Sequence, residues 1–219
     1  RADRQGPREA PPGRAACKRF CHAAAWFYAL VKAEPNAPFP LQRVVPPASR
    51  SPPRSAWSVE FDASVYGGGA ILLSGAHPVE YLCVAWPREG IRHLGVVPFD
   101  SRYQSFWEFL TLLLALMVWG RDFVQTRLPI LGDNVAALQL AVKLKGKGLM
   151  LTVARELAWR QARYGWCFEL GHLPSAHNRV ADAVSRAAAP DAPPWPACLE
   201  NVPRRDTHDL DAMWRVRIL

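Results

Sequence analysis

Between Phe106 and Trp119 the chain reads FWEFLTLLLALMVW, apolar except for Glu108 and Thr111. A run of this length is too short to cross a bilayer, which takes about 20 apolar residues, and suits a helix enclosed by a domain. The fold must therefore cover one helix on most of its sides. It must also solve a charge problem, because burying an unpaired carboxylate costs several kcal/mol. No Lys or Arg lies within one helical turn of Glu108. One solution is local: Ser105 as helix cap, with Glu108 three residues on, makes a capping box. The other is a shared divalent cation. Three further acids stand at the ends or on the faces of other expected elements: Asp62 in FDAS, Asp133 in LGDN and Asp182 in VADAVSR.

The elements around these acids can be read from periodicity. Trp57, Val59 and Phe61 alternate with Ser58, Glu60 and Asp62, as in a strand. Gly67, Gly68 and Gly69 suggest a tight turn, followed by strands over 69–75 and 79–86 in an antiparallel meander. A long loop, 87–103, leads to the apolar helix, 106–120. A fourth strand is expected over 126–132, with Pro129 predicting irregularity there. Helices over 134–144 and 149–164, a fifth strand over 166–172 and a last helix over about 177–188 complete the order βββαβααβα. Strands separated by helices pair in parallel. The expected fold class is α/β: a mixed five-stranded sheet with helices on both faces.

The chain of 219 residues is half hydrophobic, enough for one medium domain with extensions. Its net charge of +8 is concentrated at the start. Residues 1–55 carry 10 basic side chains against 3 acidic, residues 56–188 carry 13 against 11, and residues 189–219 carry 4 against 5. A basic arm suits a polyanion, nucleic acid first, or is a solvated linker. Within it, 15–33 reads as a helix with Phe20, Ala24, Phe27 and Val31 on one face, and 34–55 as a stiff Pro-rich connector. The organisation expected is thus an arm over 1–55, a compact domain over 56–188 and an extended Pro-rich tail over 189–219. The chain begins with Arg and reads as a piece of a longer protein. Five scattered cysteines and no secretory signal point to an intracellular, reducing setting. Cys17, Cys21 and His22 lack the fourth ligand of a zinc site and fit helix-surface positions better.

The order of elements and acids resembles the ribonuclease H domain of retroelement polyproteins. The likeness is strongest to reverse-transcriptase-linked versions in LTR-type and tyrosine-recombinase-type retrotransposons. It is carried by Phe61-Asp62-Ala63-Ser64 with Gly68-Gly69-Ala70, by Glu108 with Leu112 and Ala115, by Gly132-Asp133-Asn134, and by the run from His172 and Pro174 through Asn178 to Ala181-Asp182-Ala183-Val184-Ser185-Arg186. It covers about residues 57–187. Ser175 departs from the pattern, where the family usually has Gly. An exonuclease of the same sheet would carry Glu where Ser64 stands. An integrase would end on a Glu and lack Glu108.

The resemblance implies a metal-dependent endonuclease that hydrolyses the RNA strand of RNA–DNA hybrids during reverse transcription. It implies two Mg²⁺ ions, with Mn²⁺ able to substitute. Asp62 would bridge both ions, Glu108 and Asp133 would serve the leaving group, and Asp182 would serve the water. Hard cations suit carboxylate ligands from separate elements. His172 is the candidate for a loop histidine assisting product release, with packing at a strand end as its other reading, and His177 is a weaker one. Substrate contacts are expected from Ser64, from the amides around Gly68, and from Lys143, Lys145 and Lys147, which read otherwise as a solvated loop. Asn134 and Asn178 would touch the nucleic-acid backbone or brace the site, and Asn178 could equally cap the last helix. Tyr103, Phe106 and Trp107 could stack on bases, although packing suits the last two better. Partners would be the hybrid, read by shape and 2′-hydroxyls, and the polymerase domain of the same polyprotein. The other functional class is a catalytically lapsed nucleic-acid-binding or spacer module.

Overall fold

A computed structural model describes residues 18–32, 52–89, 91, 94–124, 126–207 and 209–215. The molecule is a mixed α/β structure on a six-stranded sheet, in the order β5-β4-β1-β2-β3-β6. β1 (Trp57–Ala63), β2 (Gly67–Ser74) and β3 (His77–Ala85) form the expected antiparallel meander. β4 (Leu128–Gly132) runs parallel to β1, and β5 (Phe168–His172) runs parallel to β4. The sixth strand was not expected from the sequence. It is the pair Arg204–Arg205, which lies parallel to β3 at Tyr81 and Leu82.

Pro129 does not disrupt β4. The Leu128 amide donates to Cys167 on the β5 side, so the position without an N–H faces β1. There the β1–β4 ladder starts only at Ile130, opposite Val59. The strand loses no bond to its other neighbour, and its five residues stay in register with β5.

The helix α1 spans Lys18–Val31, α2 Gln104–Trp119, α3 Val135–Lys143, α4 Leu149–Tyr164 and α5 Arg179–Ser185. α2 is buried along almost its whole length, as its composition demanded. It packs on β1 and β2 from one face of the sheet, while α5 packs on the same strands from the other. The glycines of β2 permit this. They belong to a strand, which corrects the expectation of a glycine turn. A Cβ on Gly68 would lie 2.4 Å from Thr111 Oγ1 of α2. A Cβ on Gly69 would lie 2.7 Å from the Ser185 amide of α5. Both helices therefore sit closer to the sheet than any side chain would allow.

Two expectations about the ends are corrected. The segment beyond Ala189 is not a loose extended tail. Leu199 is buried against Ile71, Leu73, Ala181 and Val184, and Leu210, Met213 and Trp214 join the main core. α1 does exist, but Phe20, Phe27 and Val31 are exposed. Its inward side is Leu30 with Trp26, packed on Trp159 of α4. Counting apolar residues selected the wrong face, because among the described residues this helix packs mainly on α4, through a short stretch. Cys17, and residues 34–51 of the connector expected over 34–55, lie outside the described residues. Cys21 is exposed, and His22 Nδ1 lies 3.1 Å from Arg155 Nη2. No helix among the described residues is long and apolar enough to cross a membrane.

Candidate metal centre

Three chain segments bring carboxylates to one spot. Asp62 stands one residue before the end of β1, Glu108 on the second turn of α2, and Asp133 immediately after β4. The parallel β1–β4 pairing sets the ends of these strands side by side. Gly132 lets them approach closely: a Cβ there would meet the Phe61 ring at 2.5 Å. Ligand oxygens of Asp62, Glu108 and Asp133 all lie within 4.8 Å of one another, and this cluster can hold a metal ion. Asp62 and Glu108 are only 6% and 3% exposed.

The surroundings supply hydrogen bonds but little positive charge. Asp62 Oδ2 accepts from Ser185 Oγ at 2.7 Å. Asp133 Oδ2 accepts from Ser175 Oγ at 2.6 Å. Gln104 Nε2 donates to Ala63 O at 2.5 Å and to Glu108 Oε1 at 3.2 Å. Glu108 Oε2 is buried with no hydrogen-bond partner. Burial is the main reason that Asp62 is pushed up to about 7, with Asp133 and Asp182 adding to the effect and the Ser185 hydroxyl and Arg186 opposing it. Glu108 is pushed up to about 9, first by burial and then by the charges of Asp62 and Asp133. Like charges crowded together in a poorly solvated pocket account for both directions. A bound cation reverses that pressure, and an orphaned carboxylate oxygen in an all-oxygen donor set suits a hard cation. The residues present therefore fit a metal.

The capping-box reading of Glu108 fails. α2 begins at Gln104, so Ser105 lies inside it, and Tyr103 at its cap makes no side-chain bond. Glu108 is held instead by Gln104, one turn earlier.

Asp182 reaches the same cavity, of about 340 Å³, but not the tight cluster. Its Oδ1 is bound by Arg186 Nε at 2.8 Å. His172 ends β5 opposite Gly132 and is exposed, and among the described residues that line the cavity neither it nor His177 appears. Two of the three readings of Asn178 are set aside, and the third, that it braces the site, agrees with its position. It is buried, so it is not available to a substrate, and its side chain makes no helix cap. Its Nδ2 donates to Phe61 O at 2.9 Å, bracing α5 against β1 beside Asp62. Asn134 caps α3, its Oδ1 accepting from the Ala137 amide at 3.1 Å. Ser64 shapes the β1–β2 turn. Its Oγ accepts from the Tyr66 and Gly67 amides and donates to Ser185 O at 2.7 Å. Gly68 lies within a buried strand, paired with Ala63 on one side and Val84 on the other. Phe106 and Trp107 are core residues, Trp107 stacking on Trp86 with ring centroids 4.5 Å apart. Lys143, Lys145 and Lys147 are all exposed around the α3–α4 connection.

Gln104, Ser175, Ser185 and Arg186 had no assigned role in the sequence reading. Two of them carried a signal, since Gln104 precedes Glu108 and Asp182 precedes Arg186 by the four residues that align side chains on a helix. No family model matches this sequence, and no curated protein matches it.

Proposed function

We propose that this chain is a metal-dependent phosphodiester hydrolase of ribonuclease H type, with the corresponding fold, acting on the RNA strand of RNA–DNA hybrids within a retroelement polyprotein. The observation that carries the reading is the convergence of Asp62, Glu108 and Asp133, from three separate elements, within 4.8 Å, with one buried carboxylate oxygen left unpartnered. The order of these acids along the chain, and the Asp182-to-Arg186 run beside them, agree with the resemblance described above.

Asp62, Glu108 and Asp133 would hold the cation, Mg²⁺ with Mn²⁺ as substitute, and Asp182 would join them for a second ion. Bound there, such ions supply an acidified water and a counter-charge for the leaving oxyanion. The chain's own groups fix the ligands. Ser185 orients Asp62, Ser175 orients Asp133, and Gln104 ties Glu108 to the β1 backbone. Partners of this kind hold ligand oxygens in place for capture. The net charge of +8 and the exposed lysines of the α3–α4 connection supply sequence-independent attraction for a polyanion.

The test is labelled RNA presented as hybrid, as duplex RNA and as single strand, each with Mg²⁺, Mn²⁺ or EDTA. The expected result is cleavage of the hybrid alone, lost in EDTA. Equal binding of hybrid with metal or chelator, without cleavage, would instead support the lapsed binding module.

A further inference from the structure

The cavity holds four carboxylates and one base, Arg186. That base forms its ion pair with Asp182. Arg186 Nε donates to Asp182 Oδ1 at 2.8 Å, and the Arg186 amide donates to Asp182 O at 3.2 Å. The other three acids form their cluster without Asp182. A guanidinium is a permanent single positive charge with a rigid donor fork, so at this position it already meets the needs of the fourth carboxylate. Yet the pair is not locked away, since the Arg186 side chain is 55% exposed and that of Asp182 41%. Exposed pairs of this kind are weak and exchange partners readily.

We propose that Arg186 sets how many cations the cleft holds, by occupying Asp182 until an anionic substrate draws it away. The inference rests on the hydrolase reading for its cation chemistry and goes beyond it in assigning a role to Arg186. In the resting protein one cation enters at Asp62, Glu108 and Asp133. The guanidinium holds Asp182 Oδ1 and sets a positive charge where a second cation would sit, so it competes with that cation for Asp182. A phosphodiester backbone entering the cavity offers that guanidinium a bidentate partner. Asp182 is then released as substrate arrives, and loading of the second cation is coupled to binding.

The test is calorimetric titration of the substrate-free full chain with Mn²⁺ and with Mg²⁺, in the wild type, Arg186→Gln, Arg186→Lys and the double variant Arg186→Gln/Asp182→Asn. Thermal unfolding by circular dichroism checks that each is folded. One ion is expected in the wild type. Arg186→Gln should admit a second ion, or tighten it by up to about fivefold, the upper worth of an exposed ion pair. Arg186→Lys should behave as the wild type because it keeps the charge, and the double variant should return to one ion. Equal stoichiometry and affinity in the wild type and Arg186→Gln overturns the inference while leaving the hydrolase reading intact. Two ions in the substrate-free wild type also overturns it. No ion in any variant overturns both.

Discussion

Two glutamates lie buried among the described residues, and they are treated in opposite ways. Glu156 on α4 is fully buried, and both its oxygens are satisfied. Oε1 accepts from Arg160 Nε at 2.8 Å and Oε2 from the Arg215 amide at 2.8 Å. Arg160 in turn donates to Met213 O at 2.6 Å, so the group fastens the C-terminal segment to α4. Glu108 on α2 is 3% exposed, yet Oε2 has no hydrogen-bond partner, and the charges of Asp62 and Asp133 outweigh the help that Gln104 and the Ala63 backbone give the carboxylate. One carboxylate closes a network; the other holds one open. A satisfied buried charge reads as architecture, whereas an unsatisfied one beside like charges reads as a place kept for something else.

The contrast can be broken by substitution. Glu156→Ala should be the most damaging change, since it strands Arg160 in the interior and should cost about 3–5 kcal/mol in urea unfolding. If it costs less than 1 kcal/mol, the network is not structural. Asp133→Asn or Asp62→Asn should leave the fold intact and reduce Mg²⁺-dependent hybrid cleavage by more than about 100-fold, beyond the loss expected from an outer partner. Retained turnover would refute the ligand assignment.

The sign should reverse at Glu108. Its pKa in the folded protein, about 9, lies above the ordinary 4.5, so the folded state keeps a proton that the unfolded state has released. Asp62 adds the same effect between 3.8 and about 7. Metal-free stability therefore falls as pH rises from about 4 to 9. Glu108→Gln should raise stability at pH 8 by on the order of 2 kcal/mol and flatten this dependence. A chemical-denaturation series across pH in EDTA would measure it, and an unchanged slope would count against a stressed carboxylate. The smallest effect should come from Ser185→Ala. Losing the hydroxyl on Asp62 should weaken metal binding by about tenfold in a calorimetric titration, with little change in fold.

The contrast also explains what could be read from the residues alone. The alternation around Val59 and Phe61 and the apolar run of α2 specify their elements through local periodicity, and the acids at their ends follow. The expected order of elements from β1 to α5 is the order found. What escaped depends on contacts distant in sequence. Three glycines in a row look like a turn unless α2 and α5 are known to press on them from opposite faces. Leu210, Met213 and Trp214 are anchors scattered through a segment whose prolines suggest an extended tail. Asn178 stands at a helix cap, and only the Phe61 carbonyl decides that its amide turns inward.

The stretch of β2 without side chains has a mechanical consequence. Glu108 belongs to the helix on one side of it and Asp182 to the helix on the other, so Gly68 and Gly69 act as the shim of a calliper. A single methyl at either would pry the jaws apart. The aperture available to an ion is thus gauged by atoms the chain leaves out.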